Sequence, residues 1–198
     1  MARTREFDTD QVIAAIGDKF WADGYEATGV ADLVEVTGVG RASLYGAFGS
    51  KQEMLHRAVE RYLDTQIERQ WSEVDGNGLE GATHMFRQFA KFRELRPERA
   101  QWGCLMVNSI VELGRTDEAI VELGGRYRSR IRHAFRTAYE VAVERGEIAP
   151  GNIDEQVELS TMMIMGCFVA IKGGADLEEV QSLTSNAIDL IESWRIDT

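Results

Sequence analysis

Two short stretches of this chain hold the side chains best suited to chemistry: Trp102-Gly103-Cys104-Leu105 and Gly40-Arg41-Ala42-Ser43. Cys104 opens a short helical segment, and a thiol at a helix N-terminus is expected to have a lowered pKa and to act as a nucleophile toward electrophiles or oxidants. A buried cysteine at the same place would be inert filler, so both readings stand. Arg41 and Ser43, flanked by small residues, present hydrogen-bond donors on one open surface. Neither stretch is a catalytic set. The sequence has no Gly-rich phosphate loop, no GxSxG and no HExxH, and its three histidines, His56, His84 and His133, lie in different segments. We therefore expect no catalytic residue, no cofactor and no metal site, and read the chain as a non-enzyme.

The elements that carry these residues are helical. Thr9 and Asp10 offer caps to a stripe of Val12, Ile13, Ile16 and Phe20. Gly24 ends that helix. A short helix with Val30, Leu33 and Val34 facing inward follows, broken at Thr37-Gly38-Val39. Arg41 to Phe48 forms the next, and a Ser50/Glu53 capping box starts another that runs to about Trp71. Two short helices joined by a glycine turn, with a third packed behind, make the helix-turn-helix pattern. A plain three-helix packing unit has the same spacing.

Beyond this unit the chain reads as long helices. Asp75-Gly76-Asn77-Gly78 is a turn, Pro97 ends the helix that follows it, and Thr116 caps the long helix reaching about Arg145. Asn152 to Glu155 starts the penultimate helix and Asp176 with Glu179 the last. With only two prolines in 198 residues, 44% apolar and 28% charged, the composition fits an all-α protein of about nine helices. The longest apolar run, Met162 to Ile171, is too short for a membrane span of about 20 residues. No apolar segment follows the N-terminus, and Cys104 and Cys167 make no framework, so a cytoplasmic location without membrane association is expected. The net charge of −11 argues against nucleic acid as a partner, so any such case must rest on a local motif.

Such a motif is present. Phe20-Trp21-Ala22-Asp23-Gly24-Tyr25-Glu26-Ala27-Thr28, Val36 to Tyr45 and Phe48-Gly49-Ser50-Lys51 together resemble the TetR family of bacterial transcriptional regulators. The resemblance implies a helix-turn-helix DNA-binding domain at 1–50 and a larger helical ligand-binding and dimerisation domain at 51–198. It implies that Gly40 to Tyr45 lie in the major groove, with Arg41 on a guanine edge or a phosphate and the hydroxyls of Ser43 and Tyr45 on phosphate. Lys51 and the N-terminus of its helix would form a second phosphate clamp, and Thr28 would cap the motif's first helix and touch phosphate. Arg3 and Arg5 would form a basic arm reaching the minor groove or a tail without a role. Gly29 and Gly46 depart from the family pattern, each removing a usual polar or bulky side chain.

In the larger domain, Phe86, Phe89, Trp102, Cys104, Met162 and Met165 are read as an apolar effector pocket with Asn108, Glu112, Tyr127 and His133 as polar handles; ordinary core packing explains any one of them as well. The penultimate helix is apolar nearly all round, and the resemblance implies that the last two helices pair with those of a second copy. Met165, Phe168, Val180, Leu183, Ala187 and Ile191 are the expected dimer contacts. The residues around Cys104 look like a subgroup that includes the repressor of N-ethylmaleimide reductase, which implies sensing of electrophiles at this thiol. The expected function is a homodimeric repressor, released from a palindromic double-stranded operator by a small-molecule effector, an electrophile in the case that Cys104 is the sensor. The alternative is a helical ligand-binding or protein-interaction module whose DNA motif has decayed.

Overall fold

The structure is a computed structural model and describes residues 7–95 and 100–196. Helix α1 (Thr9–Asp23) is capped by Asp8, one residue before the expected pair, because its carboxylate reaches the N–H groups of Asp10 and Gln11. Gly24, at φ 93°, ends it in a conformation that side-chain-bearing residues avoid. Helices α2 (Val30–Thr37) and α3 (Arg41–Phe48) meet at Gly38, which sits in the left-handed region at φ 66°. Leu33, Leu44 and Phe48 are buried between them and α1.

One long rod follows: α4 (Lys51–Tyr62), a π turn (Leu63–Ile67) and α5 (Glu68–Ser72). The expected Ser50/Glu53 capping box is formed, Ser50 N–H donating to the Glu53 carboxylate at 2.7 Å. The π turn, with its wider i→i+5 bonds, has no residue-type signature that would announce it. Helices α6 (Gly78–Leu95), α7 (Leu105–Leu113), α8 (Glu118–Glu144), α9 (Ile153–Lys172) and α10 (Leu177–Glu192) complete the order. Pro97 lies outside the described residues. Asp117 rather than Thr116 caps α8, accepting from Ala119 and Ile120 N–H, and Asn152 precedes α9 without a side-chain cap.

The fold is all-α: apart from a single antiparallel bridge between Ile148 and Arg195, the described residues form no β-structure. Helix α1 packs along α4, α10 along α6, and both α6 and α9 against α8. The core of the larger part is aromatic. Phe135 is fully buried between Trp71, Phe86 and Tyr139, and the Tyr139 hydroxyl is tied to Ser160 at 2.6 Å. Arg130 joins the end of the rod to α8 through Glu68 (2.8 Å) and Asp75 (3.0 Å). No helix among the described residues is long and apolar enough to cross a membrane.

Candidate nucleic-acid interface and effector cavity

Helix α3 owes its orientation to Leu44 and Phe48, four residues apart and both buried, so the opposite face must look outward. Gly40, Arg41, Ser43 and Tyr45, around the rest of the helix, are all exposed, Tyr45 to 42%. Gly40 stands at the N-cap without a side-chain acceptor, which leaves N–H groups of the first turn open to an anion. Lys51 lies close by at the start of α4, its ammonium 4.2 Å above the centre of the Tyr25 ring. The N-terminus of α4 is less open than expected, because the capping box already occupies the N–H groups of Ser50 and Glu53.

Thr28 is a correction. It is fully buried and its hydroxyl donates to Gly24 C=O at 2.6 Å, so neither a cap nor a phosphate contact remains to it; Gly29 is the N-cap of α2 instead. Arg3 and Arg5 lie outside the described residues.

The first helices are held to the larger part by polar contacts from α7, from Gly103 just before it and from the cap of α8. The Glu112 carboxylate, expected to orient a ligand, accepts instead from Tyr25 N–H (2.9 Å) and Glu26 N–H (2.7 Å) in the loop after α1. Trp21 Nε1 donates to Gly103 C=O at 3.1 Å. Asp117 accepts from Gln52 at 2.8 Å and pairs with His56 at 2.7 Å, joining α4 to the start of α8. Burial pushes the Asp117 carboxyl up, but the bonds from Gln52, His56 and Ile120 N–H outweigh it and hold the pKa below the usual carboxylate range. A depressed pKa stabilises the folded state above the unfolded value and stops doing so as pH falls through the folded value. Asp117→Asn is therefore expected to lower the urea midpoint at neutral pH, with the gap to wild type closing below about pH 4. A gap that stays constant down to strong acid would show that the charge of Asp117 plays no part.

The expected pocket residues do not converge on one space. A cavity of about 330 Å³ is present, and its lining includes Trp21, Tyr62, Phe89, Gly103, Phe168 and Ile171. From the rod come Gln66, Arg69, Gln70 and Glu73, which by sequence alone look like a solvated helix face. Their spacing from Tyr62 (four, seven, eight and eleven residues) places them on one side of the rod and is the signal that could have found them. Of the residues expected to hold a ligand, Phe89 lines this cavity. Phe86 is instead packed on Phe135, and Met162 (62% exposed) and His133 lie on outer surfaces. Asn108 is spent on Trp102 C=O at 2.7 Å, and Trp102 stacks edge-on against Trp21.

Cys104 and Tyr127 are buried together with Tyr62, the thiol 3.5 Å from each hydroxyl. Burial pushes the Cys104 thiol up, against the pull of those hydroxyls and of the α7 N–H groups, and Cys167 is pushed up by burial to about 11. Of the two readings of Cys104, the buried one holds: desolvation exceeds the effect of the helix terminus. Iodoacetamide at neutral pH is expected to modify both thiols at least about tenfold more slowly in the folded protein than in urea, as read by intact mass. Equal rates would mean that Cys104 is accessible after all.

The expected dimer residues divide in two. Val180, Ala187 and Ile191 are buried within the protomer, where α10 meets α6, and Phe168 packs on Phe89 at 4.5 Å, so these four cannot meet a partner. Leu183 (38% exposed) and the half-buried Met165 remain on the outside. Sequence reasoning missed their neighbours: Met162 and Val169 (53% exposed) continue the Met165 stripe on α9, and Leu190 lies seven residues beyond Leu183 on α10.

Residues 13–58 match the family profile described as bacterial regulatory proteins, tetR family. Along nearly its whole length the chain is similar to the HTH-type transcriptional repressor ComR of Escherichia coli strain K12, with 27% identity over 195 residues, 95% of this chain and 90% of ComR. It is 28% identical over 200 residues to YezE of Bacillus subtilis strain 168, an uncharacterized HTH-type transcriptional regulator, covering 97% of this chain and 100% of the relative. Among solved structures, the TetR family regulator CifR, a cysteine mutant complexed with 26-bp double-strand operator DNA, superposes with a TM-score of 0.79 at 26% identity, covering 94% of this chain and 98% of CifR.

Proposed function

Since this chain belongs to the tetR family of bacterial regulatory proteins, we propose that it is a cytoplasmic, homodimeric transcriptional repressor released from a palindromic operator by a small-molecule effector. The observation that carries this reading is the exposed surface of α3, which presents Arg41, Ser43 and Tyr45 on a helix held in place by the buried Leu44 and Phe48, with Lys51 at the start of the next helix. Arg41 meets a guanine edge or a phosphate, the two hydroxyls and the open first turn of α3 take phosphates, and Lys51 adds a positive charge. A local surface of this kind offsets the overall charge of −11, because phosphates dock on what lies within a Debye length.

Residues 1–50 form the DNA-binding part and 51–198 the ligand-binding and dimerisation part. The outward stripes of α9 and α10, with Met162, Met165 and Val169 on one and Leu183 and Leu190 on the other, pack against the same stripes of a second copy. Dimerisation sets the two α3 helices about 34–36 Å apart, one turn of DNA. The cavity takes the effector: its walls join Trp21 of the DNA-binding part, the rod and Phe168 of α9, so an occupant biases their spacing. The coupling is limited to the effector's differential affinity, typically about 1–3 kcal/mol.

The test is fluorescence anisotropy of the purified protein on DNA from upstream of its own gene, with scrambled competitor, at two salt concentrations. Tight binding of one dimer per site that weakens steeply with salt is expected, through release of phosphate counterions. Absence of specific binding both there and in a genome-wide fragment selection would overturn the reading in favour of a module with a decayed DNA motif.

A further inference from the structure

We propose that the cavity selects a small aromatic anion, one or two fused rings bearing a carboxylate, and that Arg69 is the residue that reads its charge. This rests on the effector-controlled reading above and names the chemical class of the effector. At about 330 Å³ the cavity is near the lower end of ligand sites, which run from about 300 to 1,000 Å³, so it suits a compact guest. Its inner walls are ring surfaces. Trp21 and Tyr62 meet edge-on at 5.1 Å, and Phe89 and Phe168 at 4.5 Å. Such walls favour a planar ring in offset or edge contact.

Polarity rises along the rod from this aromatic end. Tyr62 is buried, Gln66 and Gln70 are half-buried, and Arg69 and Glu73 are exposed at the rim. Along the rod, the first charged lining residue after Tyr62 is therefore a cation. Arg61, Arg126, Arg130, Arg132 and Arg136 each hold a carboxylate; Arg69, like Arg41, Arg57, Arg115 and Arg128, has none among the described residues, and of these five it is the one that lines this cavity. The carboxylate farther out, Glu73, is engaged by His84 Nε2 at 3.2 Å, with Gln88 on the same ring nitrogen. A guest carboxylate would complete Arg69 with charge-assisted bonds, and the amides of Gln66 and Gln70 supply further donors.

The test is equilibrium dialysis of the full chain, without DNA, against 2-naphthoate, 2-naphthylmethanol and 2-naphthylmethylamine, which share a ring system and differ in charge. The acid is expected to bind at least about tenfold tighter than the alcohol, with the amine weakest. Arg69→Lys should keep that order and Arg69→Glu should reverse it toward the amine, with circular dichroism confirming that each variant is folded. Phe89→Ala should weaken all three alike. Equal binding of the three, no binding of any, or an unchanged order in Arg69→Glu would overturn the proposal. Operator anisotropy on the same samples separates the two readings. If the acid binds as described and leaves DNA affinity unchanged, the effector role falls and the aromatic-acid site stands. If DNA is bound and released by other compounds while charge selectivity is absent, the proposal about Arg69 falls alone.

Discussion

Arg41→Ala is expected to weaken operator binding by about 2–6 kcal/mol per dimer, since each half-site gives up one interaction worth about 1–3 kcal/mol. Arg41 is exposed on α3, so the substitution removes a surface group and leaves the buried Leu44 and Phe48 in place. Thermal unfolding and dimer mass should accordingly match the wild type. The salt dependence of the remaining affinity tells which atom Arg41 touches. If the guanidinium grips a phosphate, its removal from both protomers lowers the salt slope by about 2 and weakens all sequences alike. If it reads a guanine, the slope stays nearly unchanged and preference relaxes at one base pair of each half-site. An operator affinity equal to that of wild type would remove Arg41 from the interface altogether.

Phe135→Ala is expected to cost about 3–5 kcal/mol of stability, the range for deleting a large aromatic side chain from a closed core. The ring touches Trp71 at 5.5 Å, Phe86 at 6.3 Å and Tyr139 at 6.1 Å between centroids, and none of it reaches solvent. Those three partners come from the rod, α6 and α8, so the space left behind cannot close without moving helices already held elsewhere. The melting temperature should fall by roughly 6–20 °C for a domain of this size. Protein concentration must be matched between samples, since the proposed dimerisation would add to apparent stability. A loss below about 1 kcal/mol would mean that the neighbouring rings collapse into the space.

Local signals in the sequence carried most of the fold. Gly24, Gly38 and the Ser50/Glu53 pair end or start helices for reasons contained within four residues, and those boundaries hold. Where two capping residues stand side by side, as at Asp8 and Thr9 or Thr116 and Asp117, sequence alone does not choose between them, and the carboxylate is the cap in both. Direction was harder. The stripe Val180, Ala187 and Ile191 is visible in the last helix, but periodicity does not say whether it meets the chain's own α6 or a second copy. Cavity residues were harder still, because Gln66, Arg69 and Gln70 look like any solvated helix face until α1 and α9 are placed opposite. For Cys104 the sequence left two readings, because the helix terminus is legible in sequence and burial is not, and burial decides for the inert one.

The bonds from Tyr25 and Glu26 to Glu112 are addressed to backbone N–H groups, which nearly every residue type possesses. The joint between the two parts is for that reason indifferent to side chains on the loop side. A foreign helix-turn-helix unit grafted onto this chain must reproduce the α1 face that packs along α4, the loop path after Gly24 and a residue at position 21 able to donate to Gly103 C=O. The residues proposed to read DNA lie elsewhere, on α3. Operator preference can thus be exchanged in a chimera, or drift over evolution, while the connection that would transmit the effector's signal stays intact.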